Sequence, residues 1–365
     1  METTKIKSLI IGNLKAKLPI VQGGMGIGVS LSGLASAVAN QGGIGVIAAA
    51  GIGMSEPDFY KNFSMANIRA LKNQIKKARN SSNGIIGVNI MVALSNFSEM
   101  VKTAVEEKID IIFSGAGLPL DLPKFLNGSK KTKLVPIVSS GKAARIIAHT
   151  WLSRYNYAPD AIVVEGPKAG GHLGFKKDNL DNPKFAIENL VKDVLNDIKP
   201  FEEQSGKTIP VIAGGGIYTG EEMYEIMKMG AAGVQMATRF VTTKECDADI
   251  KFKECYINAN KSDIDIIKSP VGMPGRAIIN DFIKDINAGK KKPFACPYHC
   301  IVTCDYKTTP YCISTALSNA KNGRMSNGFA FAGINAYRAN TIVSVKELVQ
   351  NLKNEYAHAI KLQGI

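Results

Sequence analysis

Up to about residue 245, short apolar runs rich in β-branched residues alternate with stretches whose apolar residues recur at helical spacing. The runs begin at Pro19 (PIVQGG), Gly43 (GIGVIAAA), Gly84 (GIIGVNIMV), Ile109 (IDIIFSG), Leu134 (LVPIVSS), Asp160 (DAIVVEG), Ile209 (IPVIAGGG) and Ala232 (AGVQMATRF). The segments between them include SLSGLASAVANQ, FSEMVKTAVEEK, GKAARIIAHTWLSRYN and GEEMYEIMKMG, all with an amphipathic helical pattern. Strands that are apolar throughout, rather than alternating, belong to a parallel sheet covered on both faces. Eight such units predict an α/β protein built on a closed (β/α)8, or TIM, barrel.

Beyond residue 245 the alternation stops. Residues 246–327 hold all six cysteines and several prolines, and are predicted to form a helical cap or insertion. Residues 328–365 resume with GFAFAGINAYRAN, which predicts a return to the barrel mouth before a final helix at 344–354. With the barrel at 1–245, this is one large domain with an appendage. Chemistry in such barrels sits at the carboxyl ends of the strands. Here those ends read Gln22-Gly23-Gly24-Met25, Asn89, Ser114-Gly115, Ser139-Ser140, Glu165 through His172, Gly214-Gly215-Gly216 and Gln235 through Thr238.

Two of these ends are consecutive and suit an anion. Gly214, Gly215 and Gly216, followed in the next unit by Gln235, Ala237 and Thr238, stand where backbone N–H groups commonly hold phosphate. The stretch GGMGIG has the spacing of a dinucleotide loop, but no acidic residue occurs between Gly28 and Glu56 to hold a ribose, so that reading fails. Gly23, Gly24 and Met25 instead suit close approach to a flat ring, with Gln22 and Asn89 offering amide hydrogen bonds to its polar edge. His172 follows Gly170 and Gly171 just after a strand end, which marks it as the candidate catalytic residue; the other histidines are His149, His299 and His358. Glu165 is placed either to orient His172 or to bind a cofactor hydroxyl.

Composition narrows the class. The chain is 45% hydrophobic and 21% charged, which suits a globular core. Its net charge is +14, but the lysines are scattered, with Lys290 to Lys292 the longest run, so nucleic acid is not expected and an anionic cofactor or an acidic carrier protein remains open. The N-terminus METTKIKSLIIGNLKAK lacks a signal-peptide core, and no run approaches the ~18 apolar residues of a membrane span, so a cytoplasmic protein with reduced thiols is expected. In CPYHCIVTCDYKTTPYC, Cys296, Cys300 and Cys304 recur at intervals of four, with Cys312 further on. On a helix that spacing makes a packed face of reduced thiols. Four thiolates are also enough for zinc or an iron–sulfur cluster, but known ligand pairs usually use two-residue spacers and irregular loops, so reduced packed thiols and no metal ligand are expected here.

The stretches PIVQGGMGIGVSLSGLASAVANQGGIGVI, GVNIM, GPKAGGHLG, PVIAGGGI and GVQMATRF together resemble the nitronate monooxygenase family, formerly called 2-nitropropane dioxygenases. Its relatives include the FMN-dependent enoyl-acyl-carrier-protein reductases of the second type. The resemblance covers about residues 18–245, with a further match at GFAFAGINAYR. It implies an FMN-binding barrel in which Gly23, Gly24 and Met25 lie against the isoalloxazine and Asn89 contacts its edge. Gly214, Gly215, Gly216, Ala237 and Thr238 would hold the phosphate beside Gln235, and Gly171 would bring backbone to the flavin. His172 matches the family's active-site histidine. Lys168 departs from the acid often found before AGGH, and the cysteine-bearing cap is outside the family core.

The first activity this implies is oxidation of alkyl nitronates with oxygen to a carbonyl compound and nitrite. The second is NAD(P)H-dependent reduction of an enoyl thioester carried on acyl carrier protein, with His172 or Tyr337 protonating the enolate. A flavin-binding barrel without turnover is the alternative of another class. The substrate, the preferred nicotinamide and the oligomeric state are left open.

Overall fold

A computed structural model describes residues 6–363. An antiparallel hairpin, β1 (Leu9–Ile11) and β2 (Leu14–Ala16), precedes the barrel. The following strands are β3 (Ile20–Gln22), β4 (Ile44–Ala48), β5 (Ile85–Asn89), β6 (Ile111–Ser114), β7 (Lys133–Val138), β8 (Ile162–Glu165), the short β9 (Gly171–His172), β10 (Val211–Gly214) and β11 (Gly233–Met236). All except β9 form one closed parallel barrel, in which β10 pairs with β8 and β11, and β11 pairs with β3. Each of the eight predicted strands is present.

The barrel closes because its strands have two apolar sides. Every residue of β4, β6 and β10 is buried. Inside, Val21, Val46, Ile111, Phe113, Val135, Val163 and Ile212 pack together, and Leu9, Ile11 and Ala16 of the hairpin join them as a plug. The Phe113 ring fits because its neighbour is Gly87: a Cβ there would lie 2.8 Å from Phe113 Cε2.

The outer ring comprises α1 (Ser32–Asn40), α2 (Phe63–Ser81), α3 (Phe97–Glu106), α4 (Gly141–Tyr155), α5 (Ile187–Ser205), α6 (Gly220–Lys228) and the single turn α7 (Thr238–Val241). Two of these helices have side-chain caps: the Ser140 Oγ accepts from Ala143 N–H at 3.2 Å at the start of α4, and Thr219 with Glu222 forms a reciprocal capping box on α6. None of the described helices is long and apolar enough to cross a membrane.

After the barrel come α8 (Ile250–Ile257), β12 (Ile264–Lys268), β13 (Pro274–Ile278), α9 (Asp281–Asn287), α10 (Ile313–Lys321) and α11 (Val345–Gln363). The segment holds both helices and a strand pair. β12 and β13 are antiparallel, and β13 also pairs with β9, setting Gly275 opposite His172 and Arg276 opposite Gly171. The cysteine stretch is not a helix. Residues 288–312 contain only turns and one bridge, Ile301 to Leu94, because their prolines and polar residues do not sustain a helical period. The final helix extends to Gln363, well past the predicted 354.

Candidate active site

The carboxyl ends of the barrel strands open into a cavity of about 500 Å³, within the range of small-molecule sites. Of the residues singled out from the sequence, Gly23, Gly24, Met25, Asn89, Glu165, Gly171, His172, Gly215, Gly216, Gln235, Ala237 and Thr238 all line it. Two do not. Gln22 is fully buried behind the wall, its Oε1 accepting from Val46 N–H at 3.0 Å and its amide nitrogen donating to the Gly23 carbonyl. It braces β3 against β4 and is spent before it could reach a ring edge. Gly214 ends β10 inside the sheet, where its carbonyl accepts from Gly166 N–H at 2.9 Å. Tyr337 likewise lies outside the cavity lining.

One floor of the cavity is bare backbone. A Cβ on Gly24 would sit 2.5 Å from Asn89 Cβ, so the chain passes directly against the end of β5. A Cβ on Gly23 would press on Gln235 Cγ at 3.2 Å. Across the barrel, Gly215 and Gly216 take φ of +96° and +90°, a region L side chains rarely occupy. Their N–H groups donate to no other described backbone carbonyl outside the regular elements. Thr238 opens α7 beside them, where helical N–H groups have no intrahelical acceptor.

The return segment completes this corner. Gly333 N–H donates to Thr238 Oγ1 at 3.0 Å, and Asn335 Nδ2 donates to the Gly216 carbonyl at 2.7 Å. Lys168 lies over the same glycines, with its Cβ 2.9 Å from where a Gly216 Cβ would be.

His172 projects from β9 into the cavity. Its Nε2 is 2.7 Å from Ser269 Oγ, and the Phe331 ring meets it edge-on at 4.9 Å between centroids. Burial pushes its pKa down to about 4, so the imidazole is neutral at physiological pH. Glu165 ends β8 on the cavity wall, and burial lifts its carboxyl to about 7. The polar partner of the His172 ring is Ser269, at Nε2, and no hydrogen bond joins the ring to Glu165 among the described residues.

The sequence reading missed Ser269, Arg276 and Asn335. Arg276, buried on β13, donates from Nη1 to the Pro167 carbonyl at 2.8 Å and so anchors the loop leading to His172. The signal for the first two was present: IDIIKSPVGMPGRAII has two apolar runs about a Pro/Gly turn, the mark of a hairpin. Away from the glycine floor the cavity is apolar, lined by Met54, Phe63, Met91, Leu94 and Tyr298, with Phe63 and Tyr298 stacked at 4.9 Å.

The chain is similar over its full length to FabK from Thermotoga maritima, at 28% identity and a TM-score of 0.72, with 95% of each chain covered. A nitroalkane oxidase from Streptomyces ansochromogenes shares the fold, with a TM-score of 0.73 at 20% identity over 97% of this chain and 98% of that one. Among curated proteins, a (3aS,4S,5R,7aS)-5-hydroxy-7a-methyl-1-oxo-octahydro-1H-indene-4-carboxyl-CoA dehydrogenase from Mycobacterium tuberculosis is 27% identical over 75% of this chain. The match spans 66% of that relative's length, just under two thirds. A probable nitronate monooxygenase from Staphylococcus aureus is 25% identical over 77% of this chain and 81% of its own length. Residues 7–355 match the family model described as nitronate monooxygenase. The chain belongs to the nitronate monooxygenase family.

Proposed function

We propose that the protein binds FMN and oxidises alkyl nitronates with oxygen to a carbonyl compound and nitrite. The residues suit that cofactor: Gly23 and Gly24 leave a flat floor where side chains would intrude, and Gly215, Gly216 and Thr238 offer donors for a terminal phosphate. Met25 would lie against the isoalloxazine ring, Asn89 at its edge, and Gln235 and Ala237 beside the phosphate. Bound there, the flavin would supply the electron-accepting ring.

The observation that carries the reading is the neutral imidazole of His172 on the rim of that floor. A neutral imidazole accepts a proton, so His172 would remove the α-proton of a nitroalkane or, through its N–H, hold the nitro group of a nitronate. Ser269 would fix the ring's orientation, and the apolar wall would exclude bulk water. His172→Ala is expected to lower kcat/KM for a neutral nitroalkane by about 10²-fold or more while FMN content stays at the wild-type level. Wild-type turnover at full FMN occupancy would refute the role.

A second reading, NAD(P)H-dependent reduction of an enoyl thioester, is supported by the apolar lining at Phe63 and Tyr298, which suits an acyl chain. The charge of +14 suits an acidic acyl carrier protein. Anaerobic mixing with an alkyl nitronate, NADH or NADPH separates the two. Bleaching of the flavin by the nitronate alone, reversed by oxygen, is expected on the first reading, whereas rapid bleaching by a nicotinamide would favour the second.

A further inference from the structure

The four clustered cysteines have no part in the reaction proposed above. Cys296, Cys300, Cys304 and Cys312 all line one small void, together with His299 and Ser314. Cys296, Cys300 and Cys312 also line the large cavity, so the void lies in its wall, while Cys304 faces only the void. All four are free thiols. All four come from the irregular stretch 288–312, with Cys312 at its end as the N-cap of α10.

That stretch is long for a segment without regular structure, which in a compact domain signals a functional role. It is nevertheless held in place. Val302 N–H donates to the Ala93 carbonyl at 2.9 Å and Ser95 N–H to the Cys300 carbonyl at 3.2 Å, which stitches it to the loop after β5. His299 Nε2 is 2.9 Å from the Cys304 carbonyl, and Cys300 Sγ is 3.3 Å from Ser314 Oγ. The loop thus turns its thiols inward around a gap.

Among the described residues, no three His, Cys, Asp or Glu side chains converge closely enough to hold a single metal ion. Four thiols placed around one void can be read against two kinds of thiolate site. A mononuclear zinc draws four sulfurs to one point, whereas in an iron–sulfur cluster the thiolates bind different irons and stand around a cage. We propose that Cys296, Cys300, Cys304 and Cys312 ligate an iron–sulfur cluster in the wall of the large cavity. The site does not depend on which substrate or cofactor the cavity takes.

The test uses the full chain, purified without oxygen and reconstituted with ferrous iron and sulfide. Equal amounts of bound iron and acid-labile sulfide are expected, with a paramagnetic signal after reduction by dithionite. The Cys300→Ser/Cys304→Ser double variant should lose both, while Cys255→Ser, outside the cluster, should keep them. Far-UV circular dichroism and flavin content check folding. If the double variant does not fold, Cys304→Ala alone, outside the large cavity, is expected to retain markedly less iron. No iron or sulfide in the wild type, equal uptake by the cysteine variants, bound zinc without sulfide, or a disulfide among the four in the anaerobic protein would each overturn the proposal.

Discussion

At the scale of single residues, burial shifts His172 and Glu165 in opposite senses. His172 falls from its ordinary 6.5 to about 4, so its contribution to stability is complete above 6.5 and is lost as pH falls through 4. Glu165 rises from 4.5 to about 7, so its contribution is complete below 4.5 and is lost as pH rises through 7. Between about pH 5.5 and about pH 8.5, Glu165→Gln should therefore show a smaller fall in Tm than the wild type. A profile of kcat/KM is expected to show no inflection at the ordinary histidine pKa. An inflection near 7, if Glu165 must be in one state, should vanish in the same variant. Gly24→Ala puts a methyl 2.5 Å from Asn89 Cβ, where two strand ends leave no slack. It should cost about 1–3 kcal/mol and lower flavin retention, read by thermal melting and bound-flavin absorbance.

At the scale of elements, the return segment acts as a clasp on the proposed phosphate corner. Asn335→Ala removes the 2.7 Å hydrogen bond to the Gly216 carbonyl. A net loss of about 0.5–1.5 kcal/mol predicts flavin binding weakened roughly 2- to 10-fold, measurable by titration of the flavin-free protein. The barrel strands were legible because burial on both faces writes itself as unbroken apolar runs, as in IGVIA of β4. Most of the candidate site was legible for a related reason: the packing of a parallel strand asks for apolar side chains, so glycine and polar residues at its carboxyl end stand out against the run before them. Gln22 misled because an amide at a strand end looks the same whether it meets a ligand or the next strand's N–H. The hairpin that carries Ser269 was legible, but the roles of Ser269 and Asn335 were not, because they arise from contacts with residues 97 and 119 positions away.

At the scale of the whole molecule, the chain's end is bound to its middle. α11 packs on α6 so closely that a Cβ on Gly220 would lie 2.1 Å from the Leu352 carbonyl oxygen, and Gly220 N–H donates to Glu355 at 2.7 Å. Gly220→Ala is expected to lower Tm by several degrees through loss of this docking, with flavin content per folded molecule unchanged. The hairpin β12–β13 has a wider consequence. The histidine singled out as the base belongs to β9, which pairs with β13 and not with the barrel, while Ser269 and Phe331, which hold its ring, also come from beyond residue 245. The barrel portion of the chain thus carries the floor and the imidazole, and the later segment carries the fixture that holds the ring. Recombination between relatives at the end of the barrel would exchange substrate wall and imidazole mount as one heritable module. A graft of either part without the other would separate a base from the mount that orients it.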